Sequence, residues 1–136
     1  FGKFYGLAGA RLGFVIGADD EIATLADMAG PWPVAGPTIA IGAMALRDEP
    51  WRAATATRLA RDAARLDALG KTAGWTLVGG TSLFRLYDVG EAVAVQIRLA
   101  RAHIWSRVFP YRSDWLRLGL PGAEAEWARL SEAVSS

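Results

Sequence analysis

The sequence contains no cysteine and a single histidine, His103, among its 136 residues. Without cysteine there is no disulfide and no thiolate metal ligand, which fits a reducing compartment. One histidine cannot supply the clusters of imidazoles that histidine metal sites use. We therefore expect no metal centre, and we interpret His103, which stands alone at the end of a predicted helix, as structural.

An excess of charge of one sign is also lacking. Fifteen Lys and Arg residues against fourteen Asp and Glu residues give a net charge of +1, too little for the broad positive field that holds nucleic acid. No apolar run approaches the roughly 20 residues of a membrane span, and no charged segment followed by an apolar one opens the chain as in a secretory signal. The sequence thus predicts no nucleic-acid partner, no membrane partner and a cytoplasmic location.

What is present is the composition of a folded chain, with 52% hydrophobic and 21% charged residues. A chain of this length can form one domain with a core or be a piece of a larger one. Its periodicities mix helical and strand patterns. We predict an α/β fold that is α+β in its C-terminal part.

The predicted elements of the first half are a buried strand at residues 11–17, a helix capped by Asp19 and stopped at Gly30, a stiff loop at 30–37, and helical segments that end at Gly70. Those of the second half are strands at 75–78 and 82–87 around a glycine turn, a helix at 89–102 with an Asp88 and Glu91 capping box and with Val93, Ile97 and Ala100 on one face, strands in 104–109 and 115–120, and a helix from residue 124. These assignments rest on turn residues, capping patterns and apolar spacing.

The opening segment holds one lysine, Lys3, in a glycine-rich run, and Arg11 follows eight residues later. Such a loop could present an amine and a guanidinium to one bound group. Spacing alone is weak evidence, because a lysine beside glycine is more often a solvated surface charge.

A second cluster comprises Arg107 and Arg117 in the last two predicted strands. Strand alternation places Arg107 on one face with Trp105 and Phe109, and it places Arg117 with Trp115 and Gly119 while three leucines point the other way. Gly119 leaves room beside Arg117. From the pattern alone these arginines could equally be surface charges stacked on tryptophan.

The string GKFYGLAGARLGF at residues 2–14 resembles the lysine segment of the fold-type I pyridoxal-phosphate (PLP) enzymes, the aminotransferase class I/II family. The resemblance covers residues 1 to about 135 but only the later part of the family's polypeptide. It implies that PLP is the cofactor, that Lys3 carries it as a Schiff base and that Arg11 binds its phosphate. It also implies that Arg117 holds a substrate carboxylate, that Arg107 faces the substrate and that Trp32 lies beside the substrate site.

Within the family, the strings PWPVAGP and LRLGLPG most resemble the branch that decarboxylates L-threonine O-3-phosphate to (R)-1-amino-2-propanol phosphate during cobalamin biosynthesis. A small phosphorylated amino acid would then be the substrate. An aminotransferase of the histidinol-phosphate type is the alternative. A further alternative is a non-enzymatic α+β module that binds an anion or a protein through the two arginines, Trp105 and Trp115.

The same resemblance implies the architecture of a C-terminal fragment of a fold-type I PLP enzyme. Residues 1–36 would be a remnant of the large PLP-binding domain with the lysine loop, 37–73 a helical connector, and 74–136 the small C-terminal α+β domain. Because the sequence starts inside the lysine motif, we expect the chain to be a fragment that binds PLP poorly and is inactive alone. Full-length relatives are dimers, so we expect a homodimer of the full-length protein.

Overall fold

The computed structural model describes residues 1–135, which form two compact units, one spanning Phe1–Arg52 and the other starting at Ala53. Within these residues there are five α-helices and four strands. In chain order they are α1 (Asp19–Ala29), α2 (Gly36–Arg47), α3 (Glu49–Thr72), β1 (Thr76–Gly80), β2 (Phe84–Asp88), α4 (Ala92–Arg101), β3 (Arg107–Phe109), β4 (Arg112–Gly119) and α5 (Glu124–Ser135), and a short 3-10 helix covers Ala8–Ala10. The predicted mixture of helices and strands is confirmed. No helix within this part of the chain is both long and apolar enough to cross a membrane.

Residues 11–17 do not form the predicted strand; the backbone there is irregular. A strand needs a neighbour to complete its hydrogen-bond ladder. Within residues 1–135 the ladders connect only the four strands β1, β2, β3 and β4 with one another. The apolar side chains of this segment are instead largely exposed, Ile16 to 98%.

Helix α1 begins and ends close to the predicted positions. Its N-cap is Ala18, whose N–H donates to Glu21 Oε2 at 3.2 Å, so Asp19 is the first helical residue rather than the cap. The acidic side chains of the first turn lie at the positive end of the helix dipole, where negative charge is stabilising. Gly30 ends the helix with φ 69°, a backbone conformation that glycine adopts at little cost.

Helix α3 continues past Gly70 to Thr72, so the predicted end at Gly70 was wrong. Gly70 is buried, and a Cβ atom there would lie 3.1 Å from the Tyr87 ring. Its small size therefore serves close packing against the sheet. The chain turns at Gly74 instead, with φ 78°, and the Trp75 N–H donates to the carbonyl of Gly70 at 2.9 Å.

The four strands form one antiparallel sheet in the order β1-β2-β4-β3. Gly79 and Gly80, predicted as a turn, belong to β1, and the turn is made by residues 81–83, where the Thr81 N–H donates to the Phe84 carbonyl at 2.8 Å. In the central ladder Leu86 pairs with Arg117 and Tyr87 pairs with Leu116. Side chains that are direct partners share a face of the sheet.

One face of the sheet carries the core of the second unit. Twelve buried side chains from α3, β2, β4, α4, α5 and the residue directly before β1 pack together: Leu66, Trp75, Tyr87, Ala92, Val95, Leu99, Leu116, Leu118, Trp127, Leu130, Ala133 and Val134. The three predicted leucines of residues 116–120 do point to this side, with Leu116 and Leu118 buried.

Helix α4 packs with a different face from the predicted one. Ala92, Val95 and Leu99 are buried, whereas Val93 and Ile97 are 55% and 49% exposed. Both stripes are apolar at helical spacing, so periodicity alone could not choose between them. The predicted capping box is also wrong: the helix starts at Ala92, and the Asp88 carboxylate accepts the Gly90 N–H at 3.0 Å instead of capping it.

A half-buried ionic network joins α3 to the sheet. Arg85 donates to both carboxylate oxygens of Asp67, from Nε at 2.9 Å and Nη2 at 2.6 Å, and the Tyr87 hydroxyl donates at 2.7 Å. Burial raises the pKa of the Asp67 carboxyl, but these hydrogen bonds outweigh it and hold the pKa below its ordinary value. Burial and the hydrogen bond to Asp67 raise the pKa of Tyr87.

Candidate functional site

The loop that carries Lys3 is a closed turn. The Gly6 N–H donates to the Lys3 carbonyl at 3.2 Å and the Leu7 N–H donates to the Phe1 carbonyl at 3.1 Å. Gly6 has φ 68°, which a side-chain-bearing residue adopts only with strain. The glycine therefore allows the chain to reverse directly after Lys3.

Aromatic rings anchor this loop. Phe1 stacks on Tyr5 with ring centres 4.6 Å apart, and Tyr5 stacks on Trp51 at 5.5 Å. Phe4 meets the edge of Trp51 at 5.7 Å, and Phe14 lies 5.6 Å from Phe1. Offset and edge contacts of this kind each stabilise by about 0.5–1.5 kcal/mol beyond area burial. The aromatic residues of the motif thus position the loop and leave Lys3 outside their cluster.

Helix α2 holds the second half of the loop. The Thr38 hydroxyl donates to the Ala10 carbonyl at 3.0 Å. At Gly42, a Cβ atom would collide with the Leu12 side chain. The absence of a side chain at Gly42 lets Leu12 lie against the helix, which fixes the segment directly after Arg11.

Lys3 and Arg11 line the same cavity, which has a volume of about 300 Å³ and is completed by Gly2, Leu7, Ala8, Leu12 and Gly13. Arg11 has the left-handed backbone conformation, with φ 52° and ψ 39°. This costs a non-glycine residue about 1–3 kcal/mol and is concentrated at functional sites. The only hydrogen bond that residues 1–135 offer the Arg11 guanidinium is to the Ala8 carbonyl at 3.4 Å.

These two residues fit the chemistry of PLP. The cofactor has an aldehyde, which joins to an amine, and a phosphate, which a guanidinium binds through paired hydrogen bonds. The cavity offers one amine and one guanidinium that has no carboxylate partner among the described residues. Lys3 would attach the cofactor and Arg11 would hold its phosphate.

Trp32 does not line the cavity of Lys3. It borders a separate, apolar cavity of about 550 Å³, whose other walls include Phe14, Val34 and Ile39, and Leu12 is the residue that lines both cavities. Trp32 is 91% exposed and has φ 62°. A bulky residue at positive φ is a conformational outlier, which singles out Trp32, but its role beside a substrate stays a prediction.

Arg107 and Arg117 face each other directly across the β3–β4 ladder. The Arg117 guanidinium lies 4.7 Å from the centre of the Phe84 ring, and that of Arg107 lies 5.3 Å from the Phe109 ring. Neither arginine makes an ion pair with any described residue. Like charges directly opposite in a sheet are destabilising, so the pair is suited to an anion that neutralises both.

Phe84 lies beside Gly119. These two residues are ladder partners, and a Cβ atom on Gly119 would lie 3.9 Å from Phe84 Cε1. Phe84 was not among the residues singled out from the sequence. Its spacing gives no signal by itself, because only the strand register shows that it meets Gly119 and lies under Arg117.

Trp105 lies outside the strand, because β3 begins only at Arg107. The predicted alternation therefore does not reach it; Trp105 is 82% exposed and borders a cavity of about 250 Å³ with His103, Gly119 and Arg129. Trp115 does lie in β4, where Arg112 stacks on it at 4.3 Å. Trp115 is thus in the same strand as Arg117, whereas Trp105 precedes β3.

Arg112 shows how a paired arginine on the same strand is arranged. It donates to Asp114 from Nε at 2.8 Å and also from Nη2. The hydrogen bond from Arg112 lowers the pKa of Asp114 to about 2. Its donor edge is thereby occupied, in contrast to those of Arg107 and Arg117.

The sequence profile of the aminotransferase class I and II family matches residues 1–134. The chain therefore belongs to this family. The fold agrees: the crystal structure of a candidate aminotransferase from Burkholderia pseudomallei superposes with a TM-score of 0.84 over 97% of this chain and 41% of that one, at 21% identity.

Two curated relatives carry the same name. A threonine-phosphate decarboxylase from a Sinorhizobium species is 44% identical over 135 residues, which are 99% of this chain, and one from Pseudomonas aeruginosa is 42% identical over 134 residues, which are 98% of it. In both cases the match covers 40% of the relative. The chain thus spans about two fifths of the length of these enzymes.

Proposed function

We propose that the chain is the Lys3-containing part of a PLP-dependent enzyme that decarboxylates L-threonine O-3-phosphate to (R)-1-amino-2-propanol phosphate in cobalamin biosynthesis. The observation that carries the proposal is that Lys3 and Arg11 line one cavity. The names of the two relatives support decarboxylation over transamination. The enzyme would act in the cytoplasm as a homodimer.

When bound, PLP would act as an electron sink for the bond that breaks at the substrate's Cα. In the reaction the bond from Cα to the carboxylate breaks, CO₂ leaves, and Cα gains a proton. Lys3 would hold the cofactor between turnovers, and its freed amine would return that proton to Cα. Arg11 would neutralise the cofactor phosphate.

Arg107 and Arg117 would bind the acidic groups of the substrate. A guanidinium pairs with a carboxylate or phosphate through two parallel hydrogen bonds, so it fixes orientation as well as charge. Orientation would decide the reaction that the cofactor's chemistry supports. If the two arginines present the bond from Cα to the carboxylate for cleavage, CO₂ would leave; if they present the Cα–H bond, the enzyme would transaminate.

The isolated chain would bind PLP poorly and have no decarboxylase activity, since it covers only 40% of either relative. A chimera restores the missing part. In it, this chain replaces the matching 40% of the Pseudomonas aeruginosa relative, and the product is assayed with L-threonine O-3-phosphate as substrate.

The chimera should release CO₂ and form the amino alcohol phosphate. Arg117→Gln should lower kcat/KM by about two orders of magnitude, the cost of removing a charged partner from a desolvated pair, while Arg112→Gln, on the same strand but already ion-paired, should change it little. Formation of a 2-oxo acid instead of CO₂ would favour the aminotransferase alternative. Activity that is indifferent to Lys3→Ala would overturn the assignment of Lys3, and a folded chimera that forms neither product would favour the binding module.

A further inference from the structure

The ring of Phe84 lies under one of the two unpaired arginines. Phe84 opens β2 opposite Gly119, and Arg117 is two residues from Gly119 on the same strand. Diagonal neighbours on adjacent strands are within reach of aromatic and long side chains. The guanidinium carbon of Arg117 is 4.7 Å from the ring centre, within the range of cation–π attraction.

This stacking leaves the hydrogen-bonding edge of Arg117 free. A cation–π contact uses no hydrogen-bond acceptor, so the N–H groups of the guanidinium that do not point at the ring are available to an anion. Among residues 1–135 no carboxylate forms an ion pair with Arg117. Arg112 is the contrasting case: it stacks on Trp115 as well, but Asp114 occupies its edge.

Gly119 is the ladder partner that lies beside the ring. The nearest atom to a Cβ built on Gly119 is Phe84 Cε1, at 3.9 Å. That is an ordinary van der Waals distance, so the ring lies beside its ladder partner Gly119 as well as beneath Arg117.

We propose that Phe84 is a positioning residue for substrate binding: its ring holds the Arg117 guanidinium in place so that its free N–H groups meet an oxyanion of the substrate. The inference rests on the proposed role of Arg117 in binding the acidic group. It adds a residue that makes no hydrogen bond to the substrate, acts only through Arg117, and is replaceable by another aromatic ring.

The test follows the side-chain Nε–Hε NMR signal of Arg117 in the full chain while inorganic phosphate is added. In the wild-type chain this signal should be displaced by the ring current of Phe84. Phe84→Leu should remove the displacement and weaken phosphate binding about two- to fivefold, as expected for loss of a partly exposed cation–π contact. Phe84→Tyr keeps the ring and should bind like wild type.

Arg112→Gln is the control, because Asp114 already occupies the donor edge of this arginine. It should leave phosphate affinity unchanged. Two results would overturn the inference, provided that Arg117→Gln still weakens phosphate binding. One is that Phe84→Leu binds phosphate as tightly as wild type, and the other is that Phe84→Tyr weakens binding as much as Phe84→Leu does. An undisplaced Arg117 signal in the wild-type chain overturns it without any variant. Phosphate binding that is indifferent to Arg117→Gln would overturn the role of Arg117 itself.

Discussion

Arg107 and Arg117 are direct partners in the β3–β4 ladder, and each guanidinium rests on an aromatic ring without a carboxylate partner in residues 1–135. Two cations held opposite each other repel. An anion bound to both would relieve that repulsion and, by mass action, stabilise the folded state. Anion binding by the two arginines should therefore be measurable as an increase in the stability of the folded state.

We predict that phosphate raises the thermal unfolding temperature of the second unit more than an equal ionic strength of chloride does. Arg107→Gln and Arg117→Gln should each reduce this phosphate-specific rise, because only one cation would remain. Differential scanning calorimetry at matched ionic strength measures it. Arg112→Gln is the control and should retain the full rise; an equal loss in all three variants would mean that phosphate acts on net charge alone.

The two units should differ in protection from hydrogen exchange. In residues 1–52 only Gly42 is buried, whereas the second unit has a core of twelve buried side chains. A segment with little buried apolar surface opens at low free energy. Helices α1 and α5 have 11 and 12 residues, so their amide exchange can be compared at similar helix length. We expect the α1 amides to exchange orders of magnitude faster than those of α5; similar protection would show that the first unit has more stability than its burial indicates.

Gly80 should not tolerate alanine. Its φ is 149°, and an added Cβ would collide with the Phe84 carbonyl oxygen and lie 3.0 Å from the Arg85 Cα. These are backbone atoms that cannot move aside without breaking the turn between β1 and β2. Gly80→Ala should therefore lower the free energy of unfolding by about 2 kcal/mol or more.

The neighbouring Gly79 provides the control. An added Cβ there meets nothing within 4 Å, so Gly79→Ala should change the free energy of unfolding by less than about 1 kcal/mol. Urea denaturation of both variants makes the comparison. Equal effects at the two positions would contradict the described path of the chain at residues 79–81.

The Asp67 network should stabilise the second unit at neutral pH. Asp67→Asn keeps the shape of the side chain but leaves Arg85 without its carboxylate. Removing one member of a half-buried charged network costs about 1–3 kcal/mol. Urea unfolding at pH 7 tests this, with Asp27→Asn on the exposed face of α1 as the control that should leave the second unit unaffected.

The pH dependence of the same variant gives an independent check. Folding lowers the pKa of Asp67 from its ordinary value of 3.8, so its contribution is present above that value and is lost as the pH falls through the folded pKa. The difference in stability between wild type and Asp67→Asn should therefore be constant near neutrality and shrink below about pH 4. A difference that grows as the pH falls would contradict the direction of the pKa shift.

The elements that the sequence predicted well are those whose signal is local. Helix α1 is delimited by an acidic first turn and Gly30, and the leucines of β4 alternate with Arg117 as a strand with one buried face requires. What depends on neighbours could not be predicted. The strand at 11–17 needs a partner, the buried face of α4 depends on which of two apolar stripes meets the sheet, and Phe84 is defined only by its register with Gly119.

The candidate site shows the same difference between features with a local sequence signal and features that depend on the fold. The motif in the opening loop indicated Lys3 and Arg11, and the structure shows that they line one cavity, but Trp32 borders another. Alternation placed Arg107 and Arg117 among aromatic side chains on two neighbouring strands, whereas their direct pairing and their lack of carboxylate partners are properties of the fold. The chemical roles of all five residues stay predictions until they are measured.

The most direct test of the central claim is the site of covalent labelling by PLP. The chain has only two lysines, Lys3 and Lys71, so reduction with borohydride followed by peptide mass mapping gives a clear answer. We predict that, at PLP concentrations high enough to offset the weak binding expected of the isolated chain, most of the label is on Lys3, and that Arg11→Gln lowers the labelling of Lys3 and leaves that of Lys71 unchanged. Equal labelling of the two lysines, with no effect of Arg11→Gln, would contradict the assignment of Lys3 and Arg11 as the cofactor site.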